Sequence, residues 1–135
     1  MTRCFVVPGE PRGKGRPRFS RNGTYTDSET SAYEKKIVAY FRKELGGYKA
    51  PDTAFLRIRV IAYMGIPKSA TVAQKQAMAA GRLLPSRKPD VDNICKIVLD
   101  ALNGAAYKDD ARVHEIRCCK FYSFEPRLEI SLEEV

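Results

Sequence analysis

The stretch 88–102 constrains this chain more than any other. Pro89 stops whatever precedes it and disfavours helix at Lys88, so a helix is expected to begin at about Asp90. Beyond it Val91, Ile94, Cys95, Val98 and Leu102 recur at steps of three and four, and at about 100° per residue they share one face. Asp92, Asn93, Lys96, Asp100 and Asn103 fall on the opposite face. The expected element is a helix anchored by its apolar side, with acids, an amide and an amine on the other.

Carboxylates this close repel one another, and a bound divalent cation is the simplest remedy. Hard oxygen ligands suit Mg²⁺ or Mn²⁺, which retain several waters and share coordination with phosphates. A metal held in this way activates a water and neutralises charge building on a phosphodiester. Lys96, one turn after Asp92, is placed to stabilise the same charge or to hold a carboxylate. Asp109 and Asp110 complete such a site if the chain folds back after Gly104. A plainer reading stands beside this one. Asp90 is a good N-cap, Asp92 suits a helix start, Asp92 with Lys96 is an ordinary i,i+4 pair, and Asp109-Asp110 suits a turn. A lone D-x-D does not decide between the two.

The longer pattern is more specific. Asp90-x-Asp92-Asn93-x-x-Lys96, then Asp100-Ala101-Leu102-Asn103, a short spacer and Tyr107-x-Asp109-Asp110 resemble the RusA family of Holliday-junction resolvases. The likeness extends over most of the chain, from an N-terminal strand with its Gly/Pro/Arg loop to a final pair of strands. The resemblance implies a small homodimeric, Mg²⁺-dependent endodeoxyribonuclease acting on branched DNA, with Mn²⁺ as a possible alternative ion. Carried over residue by residue, it implies Asp90, Asp92 and Asp110 as catalytic acids and metal ligands, Lys96 as the essential amine, and Asp109 as a further candidate ligand. Two rival classes remain open on the residues alone. One is a branched-DNA-binding module without catalysis; the other is a different metal-dependent nuclease or phosphoryl-transfer enzyme. The lack of a nucleotide-cradling glycine loop counts against the latter.

Charge agrees with a polyanionic partner: 24 basic against 16 acidic residues leave a formal +8. The basic excess is dense in the segment 9–23, where Arg12, Lys14, Arg16, Arg18 and Arg21 face a single acid, Glu10. Such a segment is expected to stay out of the core and lie along a phosphate backbone, with Arg12, Lys14, Arg16 and Arg18 as contacts. Arg87 and Lys88 stand beside the acids, where they are expected to grip phosphates flanking a cut.

At 135 residues, 44% apolar and 30% charged, the chain is expected to form one soluble globular domain, 1–135. Cys4, Cys95, Cys118 and Cys119 make no C-x-x-C pair, so neither zinc nor a disulfide framework is expected. No signal peptide or membrane-spanning apolar run is visible, which points to a cytoplasmic protein with no membrane partner.

Elsewhere, residues 4–8 read as a strand. Thr26 and Glu29 form a possible capping box before a helix in which Tyr33, Ile37, Phe41 and Leu45 repeat every fourth residue until Gly46-Gly47. Residues 55–64 alternate with both faces partly apolar, as in a central strand; residues 69–80 read as a peripheral helix. Residues 113–122 and 127–133 read as an antiparallel hairpin turned by Ser123-Phe124-Glu125-Pro126. His114 and Glu115 are minor candidates for a base and an extra ligand. Together these give an α/β (α+β) fold: a small mixed sheet of about four strands packed with helices. The site helix is expected between the central strand and the hairpin, with Asp110 brought near Asp90 and Asp92.

Overall fold

The computed structural model describes residues 1–15, 18–25 and 27–135, and of Arg18 and Tyr25 the backbone only. Its centre is strand β4 (Leu56–Gly65). Leu56, Ile58, Val60, Ala62 and Met64 are all fully buried on one face, and Arg57, Arg59, Ile61 and Tyr63 alternate with them on the other. Two neighbours satisfy its backbone: β5 (Val113–Ser123), parallel, and β6 (Arg127–Glu134), antiparallel. Strand β1 (Thr2–Pro8) pairs antiparallel with β6, so the mixed sheet has the order β1-β6-β4-β5. The expected four-stranded mixed sheet and central strand are present.

The expected hairpin is corrected. β5 and β6 do run in opposite directions, but β4 lies between them and they do not pair. Ser123-Phe124-Glu125-Pro126 reverses the chain, and a reversal alone does not say which strand lies alongside. A strand with apolar residues on both faces gains most from an interior place, where both backbone edges are hydrogen-bonded. β4 takes that place.

Phe5, Ile130, Val60 and Cys118 stand in register across the four strands, forming one row of the covered face. Helix α1 (Ser28–Leu45) lies over that face and buries Tyr33, Ile37 and Phe41, the last meeting Phe5 edge-on at 5.5 Å. Asp27 caps it, accepting from the Thr30 amide at 2.9 Å, and Gly46 closes it at φ +59°. Thr26, the first residue of the expected capping box, lies outside the described residues. Helix α2 (Val72–Ala79) buries no residue, and a Thr71–Gln74 capping box starts it, as befits a peripheral helix.

Helix α3 (Val91–Leu102) packs against α1 and β5 and is the expected site helix. Its buried residues are Ile94, Ile97, Val98, Ala101 and Leu102, each large one contributing about 1.5–3 kcal/mol of burial. The buried stripe is rotated from expectation: Val91 is 45% exposed and Cys95 only half-buried, while Ile97 and Ala101 join the core. Contact with two neighbours at once widens and turns the apolar arc.

The N-terminal segment is also corrected. Pro11 is buried, and residues 9–15 pack against α1 and α3 rather than standing free. Farther out, β2 (Arg18–Ser20) and β3 (Gly23–Tyr25) form a two-stranded ribbon where a loop was expected. Arg16 lies outside the described residues.

Candidate functional site

Asp90 occupies the N-cap of α3, yet its side chain makes no capping hydrogen bond. The carboxylate is instead bonded by the Lys88 amine. That bond holds the Asp90 carboxyl below its usual range against some desolvation, and the nearby Lys88 and Lys120 charges add to it. Lys120 reaches over from β5 and donates to the backbone carbonyls of Arg87 at 2.8 Å and Pro89 at 3.0 Å. The turn into the site helix is thus tied to the sheet.

The basic arm is tied to the same place. A Cβ on Gly13 would stand 2.7 Å from Pro89 Cβ and 2.9 Å from Asn93 Cβ, so only glycine fits without displacement. The Lys14 amide donates to the Asn93 carbonyl at 2.9 Å. Its ammonium lies 3.1 Å from both Glu34 and Asp100, with 14% of the side chain exposed. Burial alone would depress this amine, but the two carboxylates outweigh it and hold its pKa above the ordinary value. Lys14, expected on the DNA backbone, is therefore an internal tie between the arm, α1 and α3.

The other basic candidates divide. Arg87 bonds Glu10 and the Gly65 carbonyl, the latter at 3.1 Å, while Glu10 also accepts from the Gly65 amide. The Arg12 side chain makes a loose exposed pair with Glu29 at 3.7 Å, and the Lys88 side chain is 81% exposed. Exposed pairs of this kind contribute about 0–1 kcal/mol and yield readily to a phosphate.

The second group of acids comes back to α3 through a turn. Gly104, at φ +82°, donates to the Tyr107 carbonyl at 2.8 Å, and the buried Tyr107 hydroxyl donates to Leu99 O at 2.8 Å. Burial, then the charges of Asp110, Asp100 and Asp109, push the Tyr107 hydroxyl well up, so it stays a donor. The chain does fold back after Gly104. Asp109 caps the short 3₁₀ turn Asp110–Arg112, accepting from the Ala111 amide at 3.3 Å. A hydrogen bond with Asp109, some desolvation and the charges of Asp109 and Asp100 raise the Asp110 carboxyl; Lys96 pulls it back.

The acids therefore stand in different surroundings, with Asp92 exposed in the first turn of α3. Asp90 sits among lysines, and Asp110 sits among Asp109, Asp100 and Lys96. Among the described residues, no three acidic, cysteine or histidine side chains come close enough to hold a metal ion. Asp90, Asp92 and Asp110, expected to converge, form no closed ligand shell in the single chain. In donor chemistry the residues do suit a divalent cation: all are hard carboxylate oxygens, and the crowding that raises Asp110 is relieved by added positive charge.

Glu115 and His114 fall away from this group. Glu115 pairs with Arg57 on the opposite, uncovered face of the sheet. His114 is the extra residue of a bulge in β5, beside Glu115 and exposed.

Sequence reasoning missed Lys120, Glu10 and Glu34. One signal for Lys120 was present: in β5 it follows Ile116 and Cys118 at the strand period, an amine in a half-buried apolar series.

A mixed sheet helix-covered on one face, a basic arm and an acid-and-amine helix define a small α+β protein suited to phosphodiester chemistry. The chain belongs to the RusA family: the family described as Endodeoxyribonuclease RusA matches residues 8–133. "Uncharacterized protein YqaN" of Bacillus subtilis (strain 168) is 42% identical over 139 residues, covering 97% of this chain and 95% of its own. RusA proteins are endodeoxyribonucleases that resolve Holliday junctions, generally with a divalent metal.

Proposed function

We propose that this protein is a Mg²⁺-dependent endodeoxyribonuclease, a single domain that nicks four-way DNA junctions in pairs as a homodimer. One observation carries the reading: the exposed ridge of Asp92 and Lys96 on α3, with Asp90 at its start and Asp109-Asp110 returned beside Lys96, in a chain of net charge +8. Asp90, Asp92 and Asp110 would hold Mg²⁺ or Mn²⁺, with Asp109 as an additional ligand. A divalent cation bound there lowers the pKa of a water and offsets charge on the scissile phosphate.

The chain's own residues supply the rest. Lys96 faces the acids and stabilises charge building on the phosphate. Lys88 and Arg12, exposed at the start of α3 and on the arm, grip flanking phosphates together with Arg16 and Arg18; Arg87 joins them by leaving Glu10. These contacts are salt-sensitive and carry little sequence information.

The uncovered sheet face supports a homodimer. It carries Arg57, Arg59, Arg117 and Arg127 against Glu115, Glu129 and Glu133, a net of +1, so +7 of the charge lies elsewhere. Val6, Ile61, Tyr63 and Phe121 are exposed or half-buried at its apolar end. A near-neutral, partly apolar face of mixed charge suits a second copy better than DNA. No helix among the described residues is long and apolar enough to cross a membrane, and a cytoplasmic setting agrees with a DNA substrate.

The test is cleavage of a labelled four-way junction with and without Mg²⁺, beside linear duplex and Asp92→Asn. Paired, metal-dependent nicks that vanish in the variant while junction binding survives support the reading. Binding without cleavage in either Mg²⁺ or Mn²⁺ returns the acids to helix capping and makes this a binding module.

A further inference from the structure

We infer that Lys120 is a positioning residue of the cleavage site, fixing the turn 87–90 and through it the Asp90 carboxylate. The inference rests on the role proposed for Asp90.

Val7, Leu128, Ala62 and Lys120 stand in register across the four strands. The first three are fully buried, so an apolar residue at 120 would continue the row. The lysine instead stands half-buried at the end of that row and delivers its ammonium to Arg87 O at 2.8 Å and Pro89 O at 3.0 Å. Placing an amine in a half-buried position is unfavourable unless its donors are used, and here two charge-assisted bonds use them. Both acceptors belong to the turn that ends at Asp90.

The two amines near Asp90 differ in how firmly they are held. Lys88 bonds the carboxylate directly, but it is 81% exposed and is the residue proposed to reach a phosphate. Once it swings to DNA, Asp90 keeps its place only through backbone ties. Besides the Ile94 amide on Asp90 O at 3.1 Å, those ties include the Lys120 bonds on one side and the Gly13 and Lys14 packing on the other. Lys120 is thus the fixed cation of the site and Lys88 the movable one.

The test compares wild type, Lys120→Met and Lys120→Arg for junction affinity, single-turnover cleavage, the Mg²⁺ midpoint, and metal binding by calorimetry without DNA. Lys120→Met is expected to lower saturated cleavage about 10-fold or more and to weaken metal binding about 3-fold, with junction affinity within about 2-fold. Lys120→Arg, which still offers two donors, is expected to recover most of both. Unchanged metal binding and cleavage in Lys120→Met overturns the inference, as does an equal loss in Lys120→Arg. If Lys120→Met loses its cooperative unfolding, Lys120→Gln, uncharged and one atom too short to keep both bonds, enters the same assays with the same two readings. Wild type that cuts no junction defeats the nuclease reading instead; the calorimetric arm still decides whether Lys120 positions Asp90.

Discussion

Asp90 and Asp110 carry the same functional group on the same ridge, and their surroundings push them in opposite directions. Asp90 accepts from an ammonium and lies near a second, so its carboxyl falls below the ordinary 3.8. Asp110 stands against Asp109 and Asp100, and its carboxyl rises above the ordinary 3.8. One end of the candidate site is neutralised by its own lysines; the other holds crowded negative charge. In such a site the poorly compensated end is where added positive charge is worth most.

The largest expected effects fall on catalysis and should not distinguish the ends. Asp90→Asn and Asp110→Asn should each reduce junction cleavage by about 100-fold or more while leaving junction affinity nearly intact, measured by single-turnover kinetics and gel shift. Cleavage retained within a few-fold in either variant would remove that acid from the site.

Next come changes that disturb one end through packing. Gly13→Ala presses a methyl against Pro89 and Asn93 and should cost about 1–3 kcal/mol in denaturant unfolding, with cleavage falling alongside. Lys14→Met leaves Glu34 and Asp100 without their shared cation and should cost about 1–2 kcal/mol by the same measurement. With Asp100 released, the crowding around Asp110 should sharpen.

The smallest effects separate the two ends most cleanly. The contribution of a depressed carboxyl is present above 3.8 and is lost as the pH falls through its folded value. A raised carboxyl favours the fold below 3.8, and that advantage is lost as the pH rises through its folded value. At pH 7 without divalent ions, Asp90→Asn should therefore lower Tm and Asp110→Asn raise it, both slightly given the exposure of the two groups. The difference should shrink as the pH is lowered towards 3. Shifts of the same sign in both variants at pH 7 would dissolve the contrast.

Much of this arrangement was legible in the chain because it is local. The start of α3 at Asp90, the strand alternation of β4, the closure of α1 at Gly46 and the return after Gly104 follow from residues a few positions apart. The acids and Lys96 were legible too, since 92, 96 and 100 share a helix surface by periodicity alone and Asp90 stands at the expected helix start. Partners far apart in sequence were not. Lys14 reads as a free basic residue in a Gly/Pro/Arg loop, and nothing nearby shows that Glu34 and Asp100 will meet it.

What the sequence by itself determined was the set of elements, their apolar faces and the identity of the acid-and-amine motif, because each depends on dihedral preference and spacing along one segment. Only the tertiary structure decided that β4 separates β5 from β6, that Lys120 ties the turn before Asp90, and that Asp90 lies among lysines while Asp110 lies against Asp109 and Asp100. Those outcomes depend on which surfaces compete to be buried together, and that competition runs over the whole chain at once.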